Sequence, residues 1–367
     1  MKKQGALSDQ MIRSLITSGH IQGAEPDNVR SASLDLSLTE ELFRIEGDFL
    51  PFQNETVREV LEKFDATPHS FDTPLGRDST YAVRLNERLE LPDDVYMLSN
   101  PKSSTGRNGA LVRVVTDGTA RYDTGPRGHA GELWLLIQPG PYSIKLRSGE
   151  TLSQARFFNQ DTRLSADQLA HQYEKEPLLF SADDSPIPFD QVPAHDSDGS
   201  LVLSADLSGS IAGWECLGSS KILDFAKRNH YTARDFFDPL IVRGGRAILR
   251  AGGFYILATK ELVRVPPDLA CEMEVVDPRT GQFISHRAGF IDPGWGYGTD
   301  GAGHGRRLVL EVIPFRDVLL RDGQAAGKIR FEKMAEVPKF NYDSLNSNYI
   351  QQSTPKLSKH FTVEVSA

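Results

Sequence analysis

The chain is poor in cysteine and lacks any long apolar run, and both absences narrow what it can be. Its two cysteines, Cys216 and Cys271, leave no metal-binding spacing and no disulfide framework in 367 residues, so a reducing, cytoplasmic location is expected. No stretch approaches the roughly 18 to 20 consecutive apolar residues of a bilayer span. Met1 to Ala6 lead straight into polar helix signals rather than an apolar leader. Positive charge is not in excess either. The net charge of −9 argues against nucleic acid or an anionic membrane as a partner. A phosphate-bearing ligand would need a local gathering of Lys and Arg. With 25% charged and 39% apolar residues the chain is an ordinary globular one, long enough for two domains.

Helical periodicity is scarce as well. Ser8 followed by Met11, Ile12, Leu15 and Ile16, and closed by Gly19, predicts one short amphipathic helix with an N-cap. Elsewhere alternating or β-branched runs dominate: "SLDLSL" from Ser33, "YAVRLN" from Tyr81, "GALVRVV" from Gly109, "ELWLLI" from Glu132 and "YSIKL" from Tyr142. Gly, Pro, Asp or Asn bounds each run, the pattern of many short strands in a β barrel or sandwich with a few short helices. Between Ala166 and Leu201 a helical start gives way to "SADDSPIPFDQVPAHDSDGS", expected as a linker or long loop.

Beyond that stretch the pattern repeats. "RAGGFYILATKELVRVPPDLACEMEVVDPRTG" from Arg250 parallels "STYAVRLNERLELPDDVYMLSNPKSSTG" from Ser79. "GFIDPGWGYG" with "RRLVLEVI" parallels "ARYDTGPRGHAGELWLLI", and "DVLLRDGQAAGKIRFEK" parallels "YSIKLRSGETLSQARFF". The order is kept across all three segments, which indicates an internal duplication. The expected organisation is a first β domain at residues 1–165, a linker at 166–202, a second β domain at 203–335 and a terminal segment at 336–367.

One residue breaks the pattern. Glu311 interrupts the apolar run Leu308, Val309, Leu310, Val312, Ile313. A buried, unpaired carboxylate costs several kcal/mol or takes up a proton. Glu311 therefore either sits on the wet face of an alternating strand or is held there for chemistry.

Four stretches together bear on that choice. "LSDQMIRSLITSGHIQ" with "SASLDLSL" is similar to the start of the dCTP deaminases of the dUTPase-like superfamily. "NPKSSTGRNGAL" resembles their phosphate loop of a basic residue, two serines, two spacers and Arg. "AGFIDPGW" followed by "LVLEV" resembles their catalytic segment, and "NYIQQSTPKLSKHF" the terminal segment that folds over bound nucleotide. The resemblance implies two dUTPase-like β-barrel or sandwich domains. In that family one domain carries both the Ser-Ser-Arg loop and the Glu. Here the first copy keeps Lys102, Ser103, Ser104 and Arg107 but has Leu136 where the Glu should fall. The second keeps Asp292 and Glu311, but its loop reads "VVDPRTG". A composite site, with the loop from one half and the Glu from the other, is the expectation; decay of one copy is the alternative.

The family chemistry can be set out on these residues. Deamination at C4 of cytosine needs an attacking water, a proton at N3 and a proton on the departing amine. Zinc deaminases carry H-x-E with P-C-x-x-C, and none of the nine histidines here precedes x-Glu. The resemblance instead implies Glu311 as general base, with Ser103 or Ser104 holding water or ring. Arg107 would keep the Glu ionised or stabilise developing charge. Arg287 and Ala288 would read the pyrimidine edge, and Asp292 would orient the sugar or cap its turn. Lys102 and the loop amides would bind phosphate, while Tyr349, Gln352, Lys356, Ser358 and Lys359 match the closing segment. Ser103 and Ser104 as plain turn residues, and a disordered tail, stay open.

No catalytic metal is expected, and Mg²⁺ enters only as counterion of a nucleotide such as dCTP or dUTP. The insertion "TDGAGHGRR" before Leu308 blurs the register of Glu311, and its His304, Arg306 and Arg307 read as solvated loop residues. dUTP diphosphatase activity, a bifunctional enzyme and a non-catalytic nucleotide-binding regulator are the rival functions. Two unequal copies cannot fill a three-fold ring evenly, so a monomer and a homo-oligomer both stay open.

Overall fold

Among the residues described by the computed structural model (3–192, 198–274, 283–284, 288–344 and 355–362), four short α-helices accompany a largely β chain. A nine-stranded sheet carries the first half. Its path runs Leu111–Thr116, Ala130–Gln138, Thr80–Glu90, Leu34–Ile45, Thr151–Phe158, Tyr96–Pro101, Thr124–Gly125. Leu85 to Glu90 alternate buried and exposed, the two-residue period of a strand with one wet face. Upstream, Thr80 to Val83 are buried on both faces. The helix Val57–Lys63, capped by Thr56 and Glu59, packs Val57 and Leu61 against Ala82 there.

The second half, built on a six-stranded and a four-stranded sheet, repeats several contacts of the first. The hydroxyl of Tyr81 accepts the Gly76 N–H, and that of Tyr255 accepts the Arg250 N–H. Further along the same strands, buried Glu87 and Glu261 each accept the backbone N–H and the hydroxyl of one serine, Ser37 and Ser204. Tyr81 pairs with Ile137 and Tyr255 with Val312. The next pairs inward are Ala82 with Leu136 and Ile256 with Glu311, so Leu136 and Glu311 occupy equivalent places.

The repeat also corrects the expected linker at 166–202. The Leu7 N–H donates to the Phe157 carbonyl and Ser8 caps the helix Asp9–Thr17. In the same way the Leu164 N–H donates to the Phe331 carbonyl and Ser165 caps the helix Ala166–Lys175. Leu169, Leu178 and Leu179 are fully buried in the second core, and Leu179–Phe180 pairs with the strand Phe254–Val263. The expected helical start is the helix Ala166–Lys175, and what the Pro- and Asp-rich composition hid is the strand Leu179–Phe180.

The two halves share a core. Phe254, Ile256 and Val309 of the second half pack among first-half residues, together with Phe225, Phe236, Phe237 and the terminal Leu357 and Phe361. Buried Arg156 of the first half pairs with Glu332 and, at 3.5 Å, with Glu272 of the second, its guanidinium lying 4.0 Å from the centre of the Phe290 ring. No helix among the described residues is long and apolar enough to cross a membrane.

Leu136 is buried against Val57, Leu61, Val115 and Trp134. Restoring a carboxylate there should therefore not rebuild a second site. Leu136→Glu is expected to destabilise the chain by roughly 3–5 kcal/mol, the cost of a buried charge without a partner. Denaturant unfolding of the purified variant checks this.

Candidate active site

The turn after the strand Tyr96–Pro101 is pinned from behind. The Lys102 N–H and the Thr105 hydroxyl both donate to the Leu152 carbonyl at 2.9 Å, and the Asn108 side chain donates to the Ser104 carbonyl at 2.7 Å. These bonds wind Ser103–Gly106 into a single helical turn. Its outer side faces a cleft between the two halves. Ser103 and Arg107 line it from the first half; Ala288, Asp292 and Glu311 line it from the second.

Glu311 is 2% exposed, which removes the wet-face reading. Its carboxylate accepts the Ala288 N–H at 2.9 Å. On the other side it abuts the backbone of Gly106: a Cβ built there would lie 2.7 Å from Oε2 and 2.8 Å from Oε1. Only a residue without a side chain lets the turn approach the carboxylate this closely. The insertion does not shift the register. Arg306 and Arg307, expected in a solvated loop, lie in the strand Arg306–Pro314 and pair with Asp343 and Asp206. His304 is exposed but stacks on Phe180.

Asp292 is held across the two halves by the Ser31 hydroxyl, 2.6 Å from Oδ1. Burial pushes its carboxyl up to about 6, while the Ser31 hydrogen bond and the charge of Arg156 favour the ionised form. Trp295 and Tyr342, with ring centres 5.0 Å apart, form an aromatic wall of the cleft.

The remaining expected residues fall outside the cleft lining or outside the described residues. Ser104 is buried behind the turn, its carbonyl taken by Asn108. Lys102 points to a neighbouring cluster, donating to Asp35 at 2.5 Å and Thr151 at 2.8 Å. In the terminal segment the Lys356 carbonyl accepts from Arg107 at 2.8 Å and the Ser358 hydroxyl donates to Asn108 at 2.8 Å. Residues 355–362 are thus packed onto the loop rather than loose, and Lys359 adjoins the Lys102 cluster. Arg287, Tyr349, Gln352 and the "VVDPRTG" loop lie outside the described residues.

Sequence reading missed Gly106, Ser31, Trp295 and Tyr342. Gly106 carried a signal, a glycine inside a serine loop. Ser31 and Tyr342 carried none, because their partners are far away in the chain. Among the described residues no three His, Cys, Asp or Glu side chains gather as a metal site.

Comparison with known proteins places these features in a family. Models of the 2'-deoxycytidine 5'-triphosphate deaminase N-terminal and C-terminal domains match residues 3–161 and 165–361. The crystal structure of 2'-deoxycytidine 5'-triphosphate deaminase from Agrobacterium tumefaciens matches with a TM-score of 0.83 at 34% identity, covering 92% of this chain and 97% of that one. Its dUTPase-like β fold is the fold of this chain. A "dCTP deaminase, dUMP-forming" from Methanobrevibacter smithii is 31% identical over 126 residues, 32% of this chain and 60% of that protein. One from Methanothermobacter thermautotrophicus is 32% identical over 131 residues, 34% of this chain and 61% of that protein. The chain thus spans about 60% of the length of these curated relatives.

The Gly106–Glu311 approach generates a direct test. In Gly106→Ala the added methyl must displace the carboxylate, and misplacements of this size cost about 100-fold in rate. Turnover at the cleft is expected to fall by about that factor, while circular dichroism shows the fold retained.

Proposed function

Since the chain belongs to the 2'-deoxycytidine 5'-triphosphate deaminase family, we propose that it hydrolyses dCTP to dUTP and ammonia in the cleft between its halves. The observation that carries this reading is the contact of the Gly106 turn, from the half with the serine loop, with Glu311 of the other half. The two motif fragments are complementary in space as well as in sequence.

The chemistry follows from a desolvated carboxylate beside hydrogen-bonding groups. Glu311 takes a proton from a water whose oxygen attacks C4, and passes it to N3 as the tetrahedral carbon forms. The remaining hydroxyl proton goes, through the same carboxylate, to the amine. The C4–N bond then breaks, ammonia leaves and C4 keeps the oxygen as a carbonyl. No external oxidant or reductant is consumed. The Ala288 N–H orients Glu311, and burial beside apolar Leu310 and Val312 strengthens each interaction. Ser103 holds the water or the ring, and Arg107 favours the ionised carboxylate and the charge developing on the ring. Asp292 orients the sugar. Lys102, the loop amides around Ser104 and Lys359 take the phosphates, with Mg²⁺ arriving as the nucleotide's counterion. Arg287, Tyr349, Gln352, Lys356 and Ser358 keep their expected binding roles on the resemblance alone.

A second reading adds a step. The curated relatives are named dUMP-forming, and Asp292 sits in the same cleft, where a second water would be directed at the α-phosphate. Product analysis by ion exchange after incubation with dCTP and Mg²⁺ separates the two. dUTP with ammonia supports deamination alone, dUMP with pyrophosphate the bifunctional reaction, and unchanged dCTP overturns both.

Glu311→Gln keeps the size of the side chain but removes the base. Its turnover is expected to fall by about 10²–10⁴-fold, with dCTP affinity within a few-fold of wild type by calorimetry. The pH profile tests Asp292. With its carboxyl near 6, kcat/KM should fall as pH drops through about 6. Ser31→Ala removes a bond to the charged form, so it should move that limb upward, by about one unit.

A further inference from the structure

Beside the cleft four cations gather around few anions. Asp35, 1% exposed, accepts Lys102 at 2.5 Å and Arg30 at 2.6 and 2.9 Å, all on one oxygen. The terminal segment brings Lys359 to this cluster. On one side Ser358 bonds Asn108, whose own side chain holds the Ser104 carbonyl. On the other side the Asn229 N–H donates to the Lys359 carbonyl at 3.0 Å, and His360 Nδ1 bonds the Lys227 carbonyl at 2.8 Å.

Arg228 lies between those two contacts. It belongs to a second-half segment laid on the first half, where Ile222–Asp224 pairs in parallel with Ser143–Lys145. Its side chain is exposed and has no ion-pair partner among the described residues. Lys359 is pushed down to about 8, by burial first and then by the charges of Arg228 and Lys102. Lys102 is lowered by burial, and the charges of Arg30 and Arg228 add to that. Among the described residues Asp35 and Glu150 act on Lys359, and Asp292 interacts with Arg30. Cations packed at this density repel one another, and a polyanion relieves the repulsion.

We propose that Arg228 grips the outer phosphates of the bound nucleotide and makes the site select triphosphates over monophosphates. The inference rests on the nucleotide reading above. Lys102 adjoins Ser103 of the cleft wall, so a phosphate chain leaving the cleft past Ser103 meets Lys102 and Lys359 and reaches Arg228 last. A nucleoside monophosphate stops short of it.

The test separates this idea from the deaminase reading by measuring binding without turnover. Inorganic tripolyphosphate and orthophosphate are titrated into the full chain by calorimetry at fixed salt, with the wild type, Arg228→Ala, Arg228→Lys and Glu311→Gln. Arg228→Ala should weaken tripolyphosphate by about 10-fold and leave orthophosphate unchanged. Arg228→Lys should recover part of the loss, and Glu311→Gln should bind as wild type. In kinetics the KM for dCTP should rise by the same factor with kcat kept, while the KM for dCMP does not move. Unchanged tripolyphosphate binding in Arg228→Ala, or an equal loss for orthophosphate and dCMP, overturns the proposal. Arg228-dependent tripolyphosphate binding in a chain inert to dCTP upholds it and defeats the deaminase reading.

Discussion

A close approach between one backbone and one carboxylate governs the site. Gly106 presses against both oxygens of Glu311, and the two residues come from opposite copies of a duplicated fold. Everything around them serves that approach. The Leu152 carbonyl and Asn108 fix the turn, and the Ala288 N–H fixes the carboxylate. The buried Arg156, pairing with Glu272 and Glu332, keeps the two halves in register. A carboxylate this deep needs hydrogen-bonding partners, and the Ala288 N–H is one of them.

The β architecture was legible because alternation and turn residues are local signals. The duplication was legible because the copies kept the same order of strands. In the stretch 166–202 the helix Ala166–Lys175 was legible from its own periodicity, whereas the strand Leu179–Phe180 spans two residues in a Pro- and Asp-rich surround and gave no signal. Arg306 and Arg307 misled for a related reason. A glycine-rich stretch reads as loop up to its last residue, whereas pairing with Leu262 and Val263 starts the strand earlier.

The site was legible in its fragments but not in its joins. Ser103, Arg107, Asp292 and Glu311 stand out by motif, and all four line one cleft. Ser31 reaches Asp292 across 261 positions of chain, a separation that no single-sequence periodicity encodes. Ser104 is indistinguishable in sequence from its neighbour Ser103. Helical geometry alone decides that Ser103 faces the cleft while Ser104 turns inward.

Duplication within one chain also changes how the site responds to dilution. The serine turn and Glu311 are joined by peptide bonds and by a shared core that includes Phe254, Ile256 and Val309 beside first-half leucines. Their encounter is therefore intramolecular, with an effective concentration set by the fold rather than by the amount of protein present. A carboxylate and a turn contributed by separate chains would part as those chains dissociate. Here the pairing of Gly106 with Glu311 is independent of concentration for as long as the chain stays folded.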